Sequence, residues 1–247
     1  MTEMVPCRLN GKWDLTLPEH RAARPEWATG WEVERLDAMR NVIKPGDTVI
    51  DVGAEEGDMS ALCAQWAGPT GSMILVEPNP KVWPNIRAIW DSNDNLAPVY
   101  KWFVGFAART TELHPPHDDV KEHWNGQSLS EPFWPVCAYG PLISDHGFRQ
   151  LYLEADATPR IRLDDLATDH VDVITMDVEG SELEVLNGAR DVLTADHPVV
   201  FVSVHPQFMA DQWNVHPLTL HDYMDKLGYD KTFLASDHEV HWQYTPR

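Results

Sequence analysis

Residues 48–57 read Thr48-Val49-Ile50-Asp51-Val52-Gly53-Ala54-Glu55-Glu56-Gly57. A short β-branched run that ends in a glycine-containing turn is the pattern of a strand buried on both faces and feeding directly into a helix. Pro45-Gly46-Asp47 ahead of it is a turn signal, and Gly53 and Gly57 permit a tight connection and a close helix start. Upstream, Thr29 and Glu32 have capping-box spacing. Trp31, Val33, Leu36, Met39, Val42 and Ile43 recur at helical intervals, predicting a helix that ends near Lys44.

Downstream the same alternation continues. Helices are expected over 59–66, 81–90, 182–193 (with Gly188 inside) and 218–227. Strands are expected over 72–76, 99–106, 171–176 and 199–204, with two more in 231–244. Strands alternating with helices predict a doubly wound, Rossmann-like α/β fold with a mostly parallel sheet covered on both faces. At 247 residues a single domain, 1–247, is expected. Residues 1–28, with Pro18 and Pro25 and no clear period, read as an irregular lead-in. Residues 109–160 carry Pro115, Pro116, Pro132, Pro135 and Pro141, and read as a long substrate-side insertion forming a cap over the site.

Composition excludes several classes. Thirty-nine acidic against nineteen basic residues leave a formal charge of -20, which repels phosphate backbones, so no nucleic-acid partner is expected. The N-terminal residues have neither the basic start nor the apolar run of a signal peptide, and no stretch is apolar for long enough to span a bilayer. A cytoplasmic location without membrane insertion is the expectation. Cys7, Cys63 and Cys137 have no C-x-x-C spacing, so neither a disulfide framework nor a zinc thiolate site is suggested.

In an open parallel sheet, ligands bind outside the carboxyl ends of the strands near the point where strand order reverses. The loop after the first strand, Asp51 to Gly57, is therefore a cofactor candidate through Asp51, Gly53, Ala54, Glu55 and Gly57. A dinucleotide fingerprint wants glycine where Glu55 stands. Carboxylates at 55 and 56 suit the cationic sulfonium and ammonium of S-adenosylmethionine better than a pyrophosphate. Glu77, followed by Pro78 at the end of the second strand, is placed to accept hydrogen bonds from both ribose hydroxyls, as it would for NAD as well. After the fourth strand, Asp177 and Glu179 face the same crevice, and Ser181 with Glu184 has capping-box spacing.

These segments together, Asp51 to Gly57, Glu77-Pro78, Leu163-Asp164-Asp165-Leu166 and Asp177 to Gly188, resemble the FkbM family of methyltransferases. The resemblance implies a seven-stranded S-adenosylmethionine-binding fold that methylates a hydroxyl, often on a sugar, glycan or natural-product intermediate. Many members carry asparagine where this chain has Glu55, and residues 109–160 match nothing in the family pattern.

An alcohol acceptor must lose its proton, and a carboxylate or histidine in reach can act as general base. Asp177, Glu179 and His205 are the catalytic candidates, though His205 could instead only hold its loop. Asp177 and Glu179 could also bind Mg²⁺, which would acidify the acceptor hydroxyl. The pairs His114/His117 and His216/His221 fit transition-metal spacing only loosely. Trp124, Trp134 and Trp213 are candidates for stacking on a sugar face, whereas Trp31 and Trp66 read as core. Two alternatives stay open at this level: an NAD-dependent oxidoreductase, and a cofactor-binding module without activity.

Overall fold

The computed structural model describes residues 3–79, 81–112, 159–167 and 170–247. The chain opens on a hairpin, β1 (Met4–Leu9) and β2 (Trp13–Pro18), followed by the single-turn helices α1 (Glu19–Ala22) and α2 (Glu26–Thr29), then α3 (Val33–Val42). Next come β3 (Thr48–Val52), α4 (Asp58–Ala67), β4 (Ser72–Val76), α5 (Trp83–Ser92), β5 (Val99–Phe103) and the short β6 (Phe106–Ala107). The second half holds β7 (Arg160–Ile161), α6 (Leu163–Leu166), β8 (Val173–Asp177), α7 (Glu182–Gly188), α8 (Arg190–Ala195) and β9 (Val199–Val204). It closes with α9 (Pro206–Trp213), α10 (Pro217–Lys226) and the hairpin β10 (Tyr229–Ser236) and β11 (Val240–Pro246).

Seven strands form one sheet in the order β10-β11-β9-β8-β3-β4-β5. β3, β4, β5, β8 and β9 run parallel, while β11 is antiparallel to β9 and to β10. This is the α/β architecture that the alternation predicts. The apolar runs of the central strands are buried on both faces: Val49, Ile50, Leu75, Ile174, Val200, Phe201 and Val202 are fully enclosed. The chain proceeds outward from β3 through β4 to β5 and then returns to place β8 on the other side of β3. The reversal of strand order therefore lies between β3 and β8, and their carboxyl ends border the crevice where a ligand is expected.

Several local expectations change. Residues 1–28 are not an irregular lead-in. Asn10 and Gly11 take φ of 49° and 67°, and the Lys12 N–H donates to the Leu9 carbonyl at 2.9 Å, so a tight primed turn joins β1 to β2. The Asn-Gly signal was present in the sequence, and Leu9, Leu15 and Leu17 anchor the hairpin in the core. Thr29 does not cap α3 but ends α2, and the residue ahead of α3 is Glu32, whose carboxylate goes to Arg35. Ser181 likewise makes no capping bond, and Glu184 pairs with Arg109.

The helix expected over 182–193 breaks into α7 and α8. The break falls at Ala189, with φ of -109° and ψ of 13°, just after Gly188, where a Cβ would stand 1.9 Å from the carbonyl oxygen of Ala108: the helix is pressed against the chain leaving β6. The strand expected over 99–106 divides into β5 and β6 around Gly105, and β8 begins at Val173 rather than at 171. Of the insertion, residues 113–158 lie outside the described residues, with Trp124, Trp134 and the pair His114/His117 among them. Its two ends meet, since Glu112 and Arg160 exchange backbone hydrogen bonds at 2.9 Å.

Gly188→Ala tests the close approach. A methyl group opposed by backbone cannot be relieved by rotating a side chain, so we expect a loss of about 3 kcal/mol or more. It would be read as a lower urea midpoint with an unchanged slope.

Candidate functional site

One cavity of about 500 Å³ opens at the carboxyl ends of β3, β4 and β8. Asp51, Gly53, Ala54, Glu55, Glu77 and Pro78 line one side of it, and Asp177, Val178 and Glu179 another. The two sides meet through Gly53. Its φ is 84°, and a Cβ at that position would stand 1.9 Å from the Asp177 carbonyl oxygen. Only glycine lets the loop after β3 and the turn after β8 approach so closely. Gly57 does not line the cavity; with φ of 89° it lets α4 begin against Ile86, where a Cβ would come within 2.9 Å.

Glu77 is fully buried and held from both sides. The Glu55 N–H donates to Oε2 at 2.8 Å and the Asn79 N–H to Oε1 at 2.7 Å. Burial nevertheless raises its pKa to about 8, the two backbone bonds working in the opposite direction. Asp51, also buried, accepts from Ser60 Oγ, and burial lifts it to about 6. Each Glu77 oxygen keeps a lone pair beyond its backbone bond. That leaves acceptor capacity on a cavity wall, which fits a ribose diol.

Glu55 and Glu56 do not face the cavity as free charges. Glu55 adopts a left-handed backbone, φ 47°, and its carboxylate takes a two-pronged ion pair from Arg21, at 2.8 and 2.7 Å. Buried Arg21 also reaches Asp58 at 2.6 Å, and Glu56 meets His20 at 2.6 Å and Asn85 at 2.8 Å. The loop's negative charge is thus partly offset by Arg21, which is shared between Glu55 and Asp58, and by Arg24 at 3.7 Å from Glu55. The preference for a cationic ligand read from Glu55 and Glu56 is weakened by these pairings, although both residues still line the cavity.

On the acidic side, Asp177 ends β8, and Glu179 and Gly180 turn the chain with φ of 51° and 102°. His205, at the end of β9, sits behind them and is itself not on the cavity wall. Its Nδ1 lies 2.8 Å from Glu182 Oε1, an atom that also accepts the His205 backbone N–H at 3.0 Å. Its Nε2 has three carboxylate oxygens around it: Glu239 Oε1 at 3.2 Å, Glu179 Oε2 at 3.4 Å and Asp177 Oδ1 at 3.5 Å.

Burial opposes the imidazolium, yet Glu182, Glu239 and Asp177 together raise His205 to about 11. A histidine that keeps its proton at neutral pH is a poor general base, so of the three candidates the carboxylates are the better placed. Burial raises both Asp177 and Glu179, repulsion from Glu239 adding to each and the His205 charge opposing it.

The expected pairing of Asp177 with Glu179 as Mg²⁺ ligands is not what the structure assembles. Among the described residues, each group of three whose ligand atoms converge contains a histidine, and Asp177 converges with His205 and Glu239. His216 caps α10 through its own side chain, and His221 bonds Tyr244 at 2.7 Å, so that pair is structural. Trp31 packs on the edge of the core and also lines the cavity against His238, with ring centroids 4.4 Å apart. Trp66 is buried against Trp13.

Glu239, His238, Glu32, Arg35 and Arg21 were invisible in the sequence as site residues. No motif marks them, because they arrive from the closing hairpin, α3 and α1. Among the described residues no helix is long and apolar enough to cross a membrane.

A family model described as the methyltransferase FkbM domain matches residues 51–231. Among solved structures, the chain is similar to methyltransferase FkbM from Methylobacillus flagellatus KT, at 16% identity and a TM-score of 0.51, over 85% of this chain and 50% of that one. This chain therefore spans about half the length of that relative. It is also similar to precorrin-6y C5,15-methyltransferase from Geobacter metallireducens GS-15, at 14% identity, TM-score 0.44 and 87% of each chain. A third is Aeropyrum pernix fibrillarin with natively bound S-adenosyl-L-methionine, at 13% identity, TM-score 0.46, and 99% and 100% of the two chains. No curated protein sequence matches.

The Arg21 clamp can be tested by removing the arginine and, separately, one of its two partners. Arg21→Leu leaves the buried Asp58 carboxylate without its cation and should cost about 3–5 kcal/mol. Glu55→Gln, at a half-exposed carboxylate, should cost about 1 kcal/mol or less. Thermal unfolding of both variants checks the order.

Proposed function

Because the chain belongs to the methyltransferase FkbM family, we propose that it is an S-adenosylmethionine-dependent methyltransferase acting on a hydroxyl of a sugar, glycan or natural-product small molecule. The observation that carries the reading is the Gly53–Asp177 contact, which puts a ribose-accepting wall and an acidic wall on one cavity.

Asp51, Gly53, Ala54, Glu55, Glu77 and Pro78 are the proposed cofactor contacts, with Gly57 shaping their loop from behind. Glu77 accepts the ribose hydroxyls. When bound, the cofactor supplies a methyl group already activated by a positive sulfonium. The chain's task is then mainly to hold an acceptor oxygen in line with that carbon and to receive its proton. Glu179 lines the cavity, is about one-third exposed and has a raised pKa, so it is the proposed proton acceptor, with Asp177 orienting the hydroxyl. Trp31 and His238 offer aromatic surface for a sugar face. A net charge of -20 supports a small neutral acceptor over a nucleic acid. Residues 1–247 are proposed to act as one catalytic domain in which 109–160 contributes to acceptor selection.

The oxidoreductase alternative is separated directly by calorimetry: S-adenosylhomocysteine should bind and NADH should not. Affinity should also depend on pH in a defined direction. With Glu77 raised to about 8, the free protein carries it protonated below that pH, where it is a poorer acceptor for two hydroxyls. The dissociation constant for S-adenosylhomocysteine should fall by up to about tenfold per pH unit as pH rises toward 8, then level off. In Glu77→Gln the dependence should vanish and affinity drop. For catalysis, Glu179→Gln should lower kcat about 10²-fold or more while leaving S-adenosylhomocysteine affinity within a few-fold.

A further inference from the structure

Four carboxylates surround one imidazole at the end of β9. Glu182 holds Nδ1 and is itself fully buried, while Asp177, Glu179 and Glu239 crowd Nε2. His205 is 8% exposed, and its Nε2 makes no hydrogen bond of acceptable geometry, although it points among oxygens on every side. Glu239 Oε2 is a second buried atom without a partner. The nearby Arg35 offsets only part of this charge: it acts on Asp177 and Glu239 from a distance, while its hydrogen bonds go to Glu32 at 2.6 Å and Thr175 at 2.9 Å.

We propose that His205 Nε2, Asp177 and Glu239 form a binding site for one divalent first-row transition-metal ion, which on binding displaces the Nε2 proton of His205 to solvent. Their ligand atoms lie within 4.8 Å of one another, and Nε2 stands 3.5 and 3.2 Å from the two carboxylate oxygens. Adjacent ligands of an ion at 2.0–2.2 Å are separated by about 3.0–3.5 Å, so little movement is needed to close the shell. The Nδ1–Glu182 contact is the outer-shell carboxylate that orients a metal-ligating histidine and fixes its tautomer. One imidazole with two carboxylates suits Mn²⁺, Fe²⁺, Co²⁺ or Zn²⁺ better than Mg²⁺, which prefers an all-oxygen shell.

Asp177 and Glu239 also line the cavity, so the open side of the shell faces the space where an acceptor hydroxyl would lie. The other two convergent groups, Asp237/His238/His241 and Glu32/Glu239/His241, depend on histidines already bonded within the hairpin: His241 to Ser203 and Asp237, His238 paired to Asp237. Metal binding stands independently of methyl transfer; only a role in activating the acceptor rests on the function proposed above.

The test is a titration of the chelator-treated full chain with Co²⁺, Mn²⁺ and Mg²⁺, followed by calorimetry without any cofactor. Saturation at one Co²⁺ or Mn²⁺ per chain is expected, with Mg²⁺ at least about tenfold weaker. His205→Asn should weaken Co²⁺ binding about 100-fold, and Glu182→Gln about 10-fold. Should His205→Asn not show a native unfolding transition, Glu239→Gln carries the same expectation from the turn that precedes β11. Absence of saturable Co²⁺ or Mn²⁺ binding to the native chain, or unchanged affinity in a folded His205→Asn or Glu239→Gln protein, would overturn the proposal.

Discussion

The structure depends on one close approach. Gly53, at the end of β3, lies so near the carbonyl of Asp177, at the end of β8, that any side chain at position 53 would overlap backbone. Parallel strands β3 and β8 pair in register from Val49–Val173 to Val52–Met176, which brings their exits level. The following turns leave in left-handed conformations, at Gly53 and Glu55 on one side and at Glu179 and Gly180 on the other. Non-glycine residues held at positive φ persist only where the surroundings over-determine them. Here Glu55 is tied by Arg21 through its side chain and by Glu77 through its N–H, so the strained loop is fixed from two directions.

Charge distribution follows a different rule from the one composition suggests. The chain is strongly acidic, and apart from Asp51 and Glu77, which are held by neutral donors, the acids around the cavity fall into two groups. One group is paired with an arginine: Asp58, together with the half-exposed Glu55, with Arg21 from the N-terminal segment, and Glu32 with Arg35 three residues on. The other converges on His205 with fewer cations than anions. An uncompensated buried carboxylate is costly, and a site that retains several has an energetic preference for a cation. The first group stabilises the scaffold; the second marks the acidic wall of the cavity.

The N-terminal hairpin and α1 connect these features. They carry Arg21 to the loop after β3 and, with α3, help enclose the core that backs the cavity. Gly188 has the complementary task on the far side: it lets α7 pack against the chain leaving β6, close to where residues 112 and 160 meet.

Much of the fold was legible in the residues alone. Short, mainly apolar runs at 48–52, 72–76, 173–176 and 199–204 fit strands buried on both faces, and the turns after the first three place Asp51 to Gly57, Glu77 and Asp177 to Glu179 at strand ends by a local rule. The family resemblance rests on those same segments and is matched by the family model. What the tertiary structure alone decided is which charges meet. Glu55 and Glu56 read as free anions in sequence and became partners of Arg21 and His20, more than thirty residues away. Glu239 and His205 joined Asp177 only because β11 folds back beside β9. Strand and helix identity follows from periodicity within a few residues, whereas ion pairs and ligand sets follow from strand order. Strand order is an energy of the whole core that no local pattern carries.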